Sequence, residues 1–325
     1  MDPFDKALVG GTCAFVTRLG LGTAPLGGWP EAVSDDDVVS TVRACLDAGV
    51  RYLDTAPFYG YGQAERRVGY ALQDGSISDL VVSTKVGRVL RPGASPNPLY
   101  KGAPPLTAEF DFTYESTLRS LDESRSRLGR RRIDIAYIHD PDDHHEEALQ
   151  GAFRALRDLR DAGQLSAIGV GMNHSGPLAR FAKEGDFDCF LVAGRYTLLD
   201  QSAFDDLLPE ALKVGASVVV GGVFNSGVLA NPDGSPYYDY ERASEEIMAR
   251  AKRLEEICLR YTVSLRAAAL QFPLAHPSVA AIVVGARSAQ EAQDNIDKLR
   301  VGIPAELWTQ LRREGLIRED VPTPE

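Results

Sequence analysis

Polar residues suited to proton chemistry stand where short apolar runs end. Val50-Arg51-Tyr52-Leu53 leads into Asp54, and Leu80-Val81-Val82-Ser83-Thr84 leads into Lys85. Ile135-Ala136-Tyr137-Ile138 leads into His139, and Ala167-Ile168-Gly169-Val170-Gly171-Met172 leads into Asn173. Tyr59 follows Asp54 in the next loop. A free phenol ionises near ~10, too high to release a proton readily at neutral pH. A neighbouring ammonium favours the phenolate and lowers that value. Lys85 is the expected ammonium, with Asp54 pairing it and holding it aimed. His139 is placed to bond a substrate oxygen. The set calls for no metal, and neither a GxSxG elbow nor a catalytic Cys–His pattern is present. It moves protons but contains no electron acceptor, so redox chemistry here requires a cofactor.

Residues so far apart in sequence meet only if a fold gathers them. Apolar runs alternating with helical stretches read as parallel strands, and a closed barrel of such strands collects their C-terminal ends on one face. The pattern repeats as strands near 19–23, 51–54, 80–84, 133–138, 166–170, 188–192, 216–220 and 279–284. Helices are expected over about 34–48, 63–73, 113–128, 145–162, 175–183, 203–213, 240–260, 264–275 and 288–298. Ser34 before Asp35-Asp36-Asp37 is a helix start, and Gly49 a stop. Eight strand–helix units make an α/β chain of the (β/α)8 TIM-barrel class. Residues 7–18, broken by Gly10-Gly11, predict a hairpin that plugs one end. A doubly wound open sheet is the competing arrangement, but no GxGxxG turn follows an early strand. One domain is expected over residues 1–325, with its core at about 18–300. The stretches 87–112 and 224–239 are long, rich in Pro and Gly, and follow barrel strands. Both are expected on the C-terminal face as walls of a pocket.

Composition narrows the classes of function. The formal net charge of -11 disfavours a nucleic-acid partner, which relies on clustered cations. Arg130-Arg131-Arg132 reads as a solvated turn ahead of a strand. No segment is long and apolar enough for a membrane span. Cys13, Cys45, Cys189 and Cys258 show no ligand spacing and read as reduced, mostly buried thiols of a cytoplasmic protein without a signal peptide.

The motifs that carry these residues resemble the aldo-keto reductases. The matching pieces are Leu-Gly-Leu-Gly-Thr (19–23), Asp-Ala-Gly-Val-Arg-Tyr-Leu-Asp-Thr-Ala-Pro-Phe-Tyr-Gly (47–60), Ser-Thr-Lys-Val-Gly (83–87), Tyr-Ile-His-Asp (137–140) and Val-Val-Gly-Ala-Arg (283–287). The resemblance implies the catalytic tetrad Asp54, Tyr59, Lys85 and His139, and NAD(P)(H) laid over the C-terminal face. Gly194–Gln201 and Gly221–Leu229 are similar to the branch holding sugar 1-dehydrogenases, such as L-fucose or D-threo-aldose, L-galactose and pyridoxal 4-dehydrogenases.

By position, the resemblance implies further contacts to the cofactor. Gly22, Thr23 and Asp54 would lie by the nicotinamide ribose, and Asn173 by its carboxamide. Gly222, Phe224, Asn225 and Ser226 would hold the pyrophosphate. Gly285, Arg287, Gln290, Glu291 and Asn295 would surround the adenosine. Ala193 stands where the family has a Gln, and Gly221 where an aromatic usually stacks on nicotinamide. Arg195 or Tyr196 is expected to compensate. With Gly285 and Glu291 at positions commonly cationic in NADP users, NAD is favoured over NADP, although Arg287 pulls the other way. Trp29 and Phe58, with Tyr59 and His139, are expected to shape the substrate pocket. The implied reaction is oxidation of an aldose at its anomeric carbon to a lactone. The alternatives are an NADPH-dependent aldehyde or ketone reductase, pyridoxal 4-dehydrogenation and, more distantly, a cofactor-sensing regulatory subunit.

Overall fold

A computed structural model describes residues 1–73, 77, 79–93, 99–235 and 237–324. The chain opens with β1 (Lys6–Leu8) and β2 (Phe15–Thr17), paired antiparallel. Then β3 (Leu19–Gly22), α1 (Asp35–Ala48), β4 (Tyr52–Asp54), α2 (Gln63–Ala71) and β5 (Val81–Val86) begin the alternation. A second hairpin, β6 (Arg88–Pro92) with β7 (Leu106–Phe110), precedes α3 (Tyr114–Leu128) and β8 (Ile135–His139). Next come α4 (His145–Glu147), α5 (Arg154–Asp161), β9 (Ala167–Met172), α6 (Ser175–Glu184), β10 (Cys189–Ala193), α7 (Leu207–Val214) and β11 (Ser217–Gly221). A short hairpin, β12 (Tyr237–Tyr238) and β13 (Glu241–Arg242), leads to α8 (Glu245–Arg260), α9 (Leu265–Gln271), β14 (Val279–Gly285), α10 (Ala289–Leu299) and α11 (Ala305–Arg313).

The eight strands β3, β4, β5, β8, β9, β10, β11 and β14 close into one parallel barrel in chain order. The expected (β/α)8 architecture is therefore the observed one. Local chemistry accounts for the helix limits. The Ser34 hydroxyl accepts from Asp37 N–H, three acids occupy the first turn of α1, and Gly49 ends it in the left-handed region. Thr113, Ser244, Ser264 and Ser288 cap α3, α8, α9 and α10 in the same way. Val9, Ala14 and Val16 of the first hairpin pack under the barrel with Tyr52, Tyr137, Cys189 and Leu191, so that hairpin is the expected plug.

Several elements differ from the sequence expectation. The segment 145–162 is one helical rod, but Ala148–Phe153 is wound as a wide π turn. Gly151 lies against the Phe112 carbonyl, where a Cβ would come within 2.1 Å, so glycine lets the wide turn pack on that backbone. The segment 203–213 splits into a 3₁₀ turn (Ser202–Phe204) and α7, because the Asp206 carboxylate caps Leu207 N–H and starts a new helix. The helix expected from 240 starts at Glu245. The stretch 87–112 is mostly the β6–β7 hairpin, and its Pro-rich part, 94–98, lies outside the described residues. The tail after 300 carries α11, anchored by the buried Trp308.

One buried ion pair ties this layer together. Glu65 of α2, fully buried, accepts from Thr84 Oγ1 of β5 at 2.6 Å and from Arg127 Nε of α3 at 2.6 Å. Removing one partner of such a pair strands the other charge. Glu65→Ala should cost about 3 kcal/mol, read as a lowered thermal unfolding midpoint. A midpoint equal to that of the parent would show that Arg127 finds another acceptor.

Candidate active site

Strand alternation decides which side chains enter the barrel. Tyr52 and Asp54 of β4, Val81, Ser83 and Lys85 of β5, and Tyr137 and His139 of β8 share the inward parity. The register places Asp54 beside Ser83, and Lys85 beside Tyr137. Asp54 and Lys85 form an ion pair of 2.7 Å, with side chains 4% and 1% exposed. Lys85 Nζ also donates to Thr55 O at 2.9 Å, and Ser83 Oγ donates to Asp54 Oδ1 at 2.7 Å. With its one proton given to Asp54, Ser83 accepts from the Tyr52 hydroxyl 3.2 Å away. That hydroxyl is 3.3 Å from the Tyr137 hydroxyl. A column of hydroxyls therefore stands beneath the carboxylate.

Tyr59 enters from the β4–α2 loop. Gly27 lets another loop press on it, since a Cβ there would lie 2.8 Å from Tyr59 C and 2.7 Å from Gly60 N. Lys85 Nζ sits 4.7 Å from the centre of the Tyr59 ring, and the His139 ring meets it edge-on at 6.0 Å. All four tetrad residues thus converge. The surroundings of the phenol oppose the expected acidification. Burial, reinforced by the charge of Asp54, pushes Tyr59 well above its ordinary value. Lys85 faces the ring rather than bonding the hydroxyl, and Asp54 offsets its charge. Burial, then Lys85 and Arg88, hold His139 well below the usual imidazole range, so it stays neutral. Its Nδ1 is buried without a partner, while Nε2 lies 3.6 Å from Asp140 Oδ2.

The residues expected around a nicotinamide dinucleotide lie along the same face. Gly22 pairs with Asp54, and Thr23 N–H donates to Asp54 O at 2.9 Å. Thr23 Oγ1 and Thr55 Oγ1 are buried without partners, as a ribose or carboxamide site would leave them. Asn173 follows β9, half-buried. Ala193 and Gly221 are register partners at the ends of β10 and β11, and neither carries a stacking ring.

Two proposed compensations and two proposed contacts need correction. Tyr196 cannot replace the aromatic, being fully buried between Phe272, His276 and Phe204. Arg195 turns to the β12–β13 hairpin, where it pairs with Asp239. Asn225 serves its own loop: its N–H donates to Gly222 O, and Nδ2 donates to Gly194 O at 3.1 Å. Asn295 is 3% exposed, accepting from Arg266 at 2.9 Å and donating to Gly285 O, so it braces rather than faces the adenosine position. Asn225 and Ser226 have left-handed backbones (φ 44° and 59°), and Ser226 Oγ accepts from Tyr240 N–H. Phe224 is half-buried and covered by Arg266, 5.5 Å from its centre. At the far end, Gly285 meets Pro25 and Gln290 is exposed. Arg287 donates to Glu31 at 3.2 Å and Glu291 at 3.1 Å.

Trp29 lies at the rim, 5.4 Å from Tyr240 of the hairpin tip. Phe58 contacts His139 edge-on, but its face is taken by the Arg88 guanidinium at 4.3 Å. Arg88, Asp140, Tyr100, Arg266, Tyr240 and Glu31 were not expected here. Asp140 could have been found, as it directly follows His139. Tyr240 reaches the site through a hairpin far along the chain, which no local spacing signals. Among the described residues, His145, Glu146 and Glu184 form one group with ligand atoms close enough for a metal. It lies on the outer helices, where Arg180 already bonds both carboxylates.

Residues 18–314 match the Aldo/keto reductase family. The chain is 44% identical to the pyridoxal 4-dehydrogenase of Microbacterium luteolum, covering 96% of this chain and 98% of that one. It is 40% identical to the D-threo-aldose 1-dehydrogenase of a Pseudomonas species, covering 95% and 96%. Among solved structures, a glycerol dehydrogenase of Gluconobacter oxydans superposes with a TM-score of 0.77 at 24% identity over 99% of this chain and 97% of that one, a likeness of fold.

A phenol held as Tyr59 is should titrate late. Ultraviolet difference titration of the parent against Tyr59→Phe should show the missing phenolate step above the ordinary tyrosine range. A missing step below that range would overturn the assigned environment.

Proposed function

Because the chain belongs to the aldo/keto reductase family and is an oxidoreductase using a nicotinamide cofactor, we propose that it oxidises the anomeric carbon of an aldose to a lactone. The observation that carries this reading is the convergence of Asp54, Tyr59, Lys85 and His139 at one barrel mouth. The unpartnered Thr23 and Thr55 hydroxyls and the half-buried Asn173 fit a nicotinamide ribose and carboxamide. A dinucleotide bound there would supply the two-electron acceptor.

The chain's own residues handle the proton. Neutral His139, with its proton on Nε2, donates to the substrate oxygen and orients it. Tyr59 takes the hydroxyl proton in oxidation and returns it in reduction. Its raised value keeps it protonated at neutral pH, the form that reduction needs, and leaves it a base chiefly in alkali. Lys85 under the ring favours the phenolate as it forms. D-threo-aldose and pyridoxal substrates have two features in common. Both hold their aldehyde as a ring hemiacetal, and both bear a hydroxyl within two carbons of the reacting carbon. L-fucose, L-galactose and D-arabinose are the substrates of choice to assay, with pyridoxal as the second candidate.

NAD is the preferred cofactor on this reading. Arg287, the cation by the adenosine position, is already bonded to Glu31 and Glu291, so a 2′-phosphate would meet two carboxylates before it met a free guanidinium.

Tyr59→Phe should lower kcat by about 10²–10⁴-fold with NADH affinity, read by fluorescence quenching, little changed. Unchanged turnover would remove Tyr59 from the reaction. In the parent, oxidation should still be rising with pH above the ordinary tyrosine range, as the Tyr59 phenolate forms. Reduction should hold at neutral and mildly acid pH, because Tyr59 keeps its proton and His139 stays neutral. Glu291→Ala, which leaves Arg287 with Glu31 alone, should shift preference toward NADPH. An unaltered ratio of NADH to NADPH affinity would show that this pair does not set the choice.

A further inference from the structure

Beside the tetrad lies a charged pair that the proton chemistry leaves unused. Arg88 donates through Nη2 to Asp140 Oδ2 at 2.6 Å, with side chains 22% and 25% exposed. The Arg88 guanidinium is clamped between two rings, 4.3 Å from the centre of Phe58 and 4.7 Å from that of Phe110. A cation so stacked has little freedom to turn toward a ligand. The carboxylate is differently placed. Asp140 has a left-handed backbone (φ 47°), fixed by its N–H donating to Gly171 O at 2.9 Å. Its Oδ2 lies 3.6 Å from His139 Nε2, while Oδ1 accepts no hydrogen bond among the described residues. Its charge acts on both Tyr59 and Tyr240, which places it between the tetrad and the hairpin at the mouth.

We propose that Asp140, anchored by Arg88, is a specificity-determining residue whose free oxygen accepts a hydrogen bond from the substrate hydroxyl neighbouring the reacting carbon. His139 holds the reacting oxygen, and the residue just past the end of β8 holds the oxygen beside it. Arg88 keeps the carboxylate fixed and offsets its charge, so the site suits a neutral hydroxylated substrate. A polar site of this kind discriminates strongly against an analogue lacking the hydroxyl, because the acceptor, cut off from water by the bound molecule, is then left unpaired. The inference rests on the oxidoreductase reading and deepens it.

The test is kcat/KM for D-arabinose and its 2-deoxy counterpart in the oxidising direction, on the full chain with NAD. The parallel pair in the reducing direction is lactaldehyde and propanal. The parent should favour the hydroxylated member by about 10–100-fold. Asp140→Ala should bring the two members to within about threefold of each other, chiefly by raising KM for the hydroxylated one. Asp140→Asn, which keeps an acceptor and the side-chain volume, should restore part of the preference and guards against misfolding of the alanine variant. Equal losses on both members, or a parent indifferent to the hydroxyl, would overturn the proposal. If the parent oxidises no aldose, the aldose reading fails by itself. The lactaldehyde and propanal pair then decides the role of Asp140 independently.

Discussion

Everything at the mouth of the barrel is arranged around an ammonium and a carboxylate that have lost their water. Taking both ions out of solvent is costly, and their mutual attraction recovers that cost only with good geometry and further hydrogen bonds. Lys85 has Asp54 and the Thr55 carbonyl; Asp54 has Lys85 and Ser83. These bonds require β4 and β5 to be adjacent and in register, and they require inward parity at both positions. The closed barrel supplies all three conditions, and the outer pair of Glu65 with Arg127 clamps β5 from behind. The ion pair is poor evidence for stability and good evidence for a site, since a charged lysine at the core of a barrel serves packing badly.

The phenol beside this pair sits above its ordinary value chiefly because it is buried. An isolated ammonium near Tyr59 would draw out its proton. Here burial opposes a phenolate, and the carboxylate behind Lys85 opposes it further. Residues 54, 59 and 85 were read correctly from sequence as a cluster, but residue types alone could not supply the sum of desolvation and two opposed charges. That sum depends on distances and on exposure.

The barrel and its tetrad were legible because period-two alternation and strand–helix punctuation are local signals. Asp54, Lys85 and His139 each close an apolar run, so the signals for the fold also pointed to the candidate site. What escaped reading was long-range. Tyr240 and Asp239 arrive on a hairpin whose tip is set by Arg195 and Ser226. Asn295, a plausible ligand by position, is spent on Arg266 and the Gly285 carbonyl. Tyr196 follows a strand and looks available, but its ring turns outward into the helix layer. Whether a polar group is free or already satisfied is a property of the packed chain.

The hydroxyl column under Asp54 ends blindly. Below Tyr137 stand Cys189 and the apolar underside of the first hairpin, Val9, Ala14 and Val16, all shielded from water. A proton displaced onto that column would have no route to solvent through the floor of the molecule. Traffic between the tetrad and bulk water must therefore run through the open top, past the substrate itself. The plug at the base thus makes the enzyme a one-ended vessel for protons, whichever direction the chemistry runs.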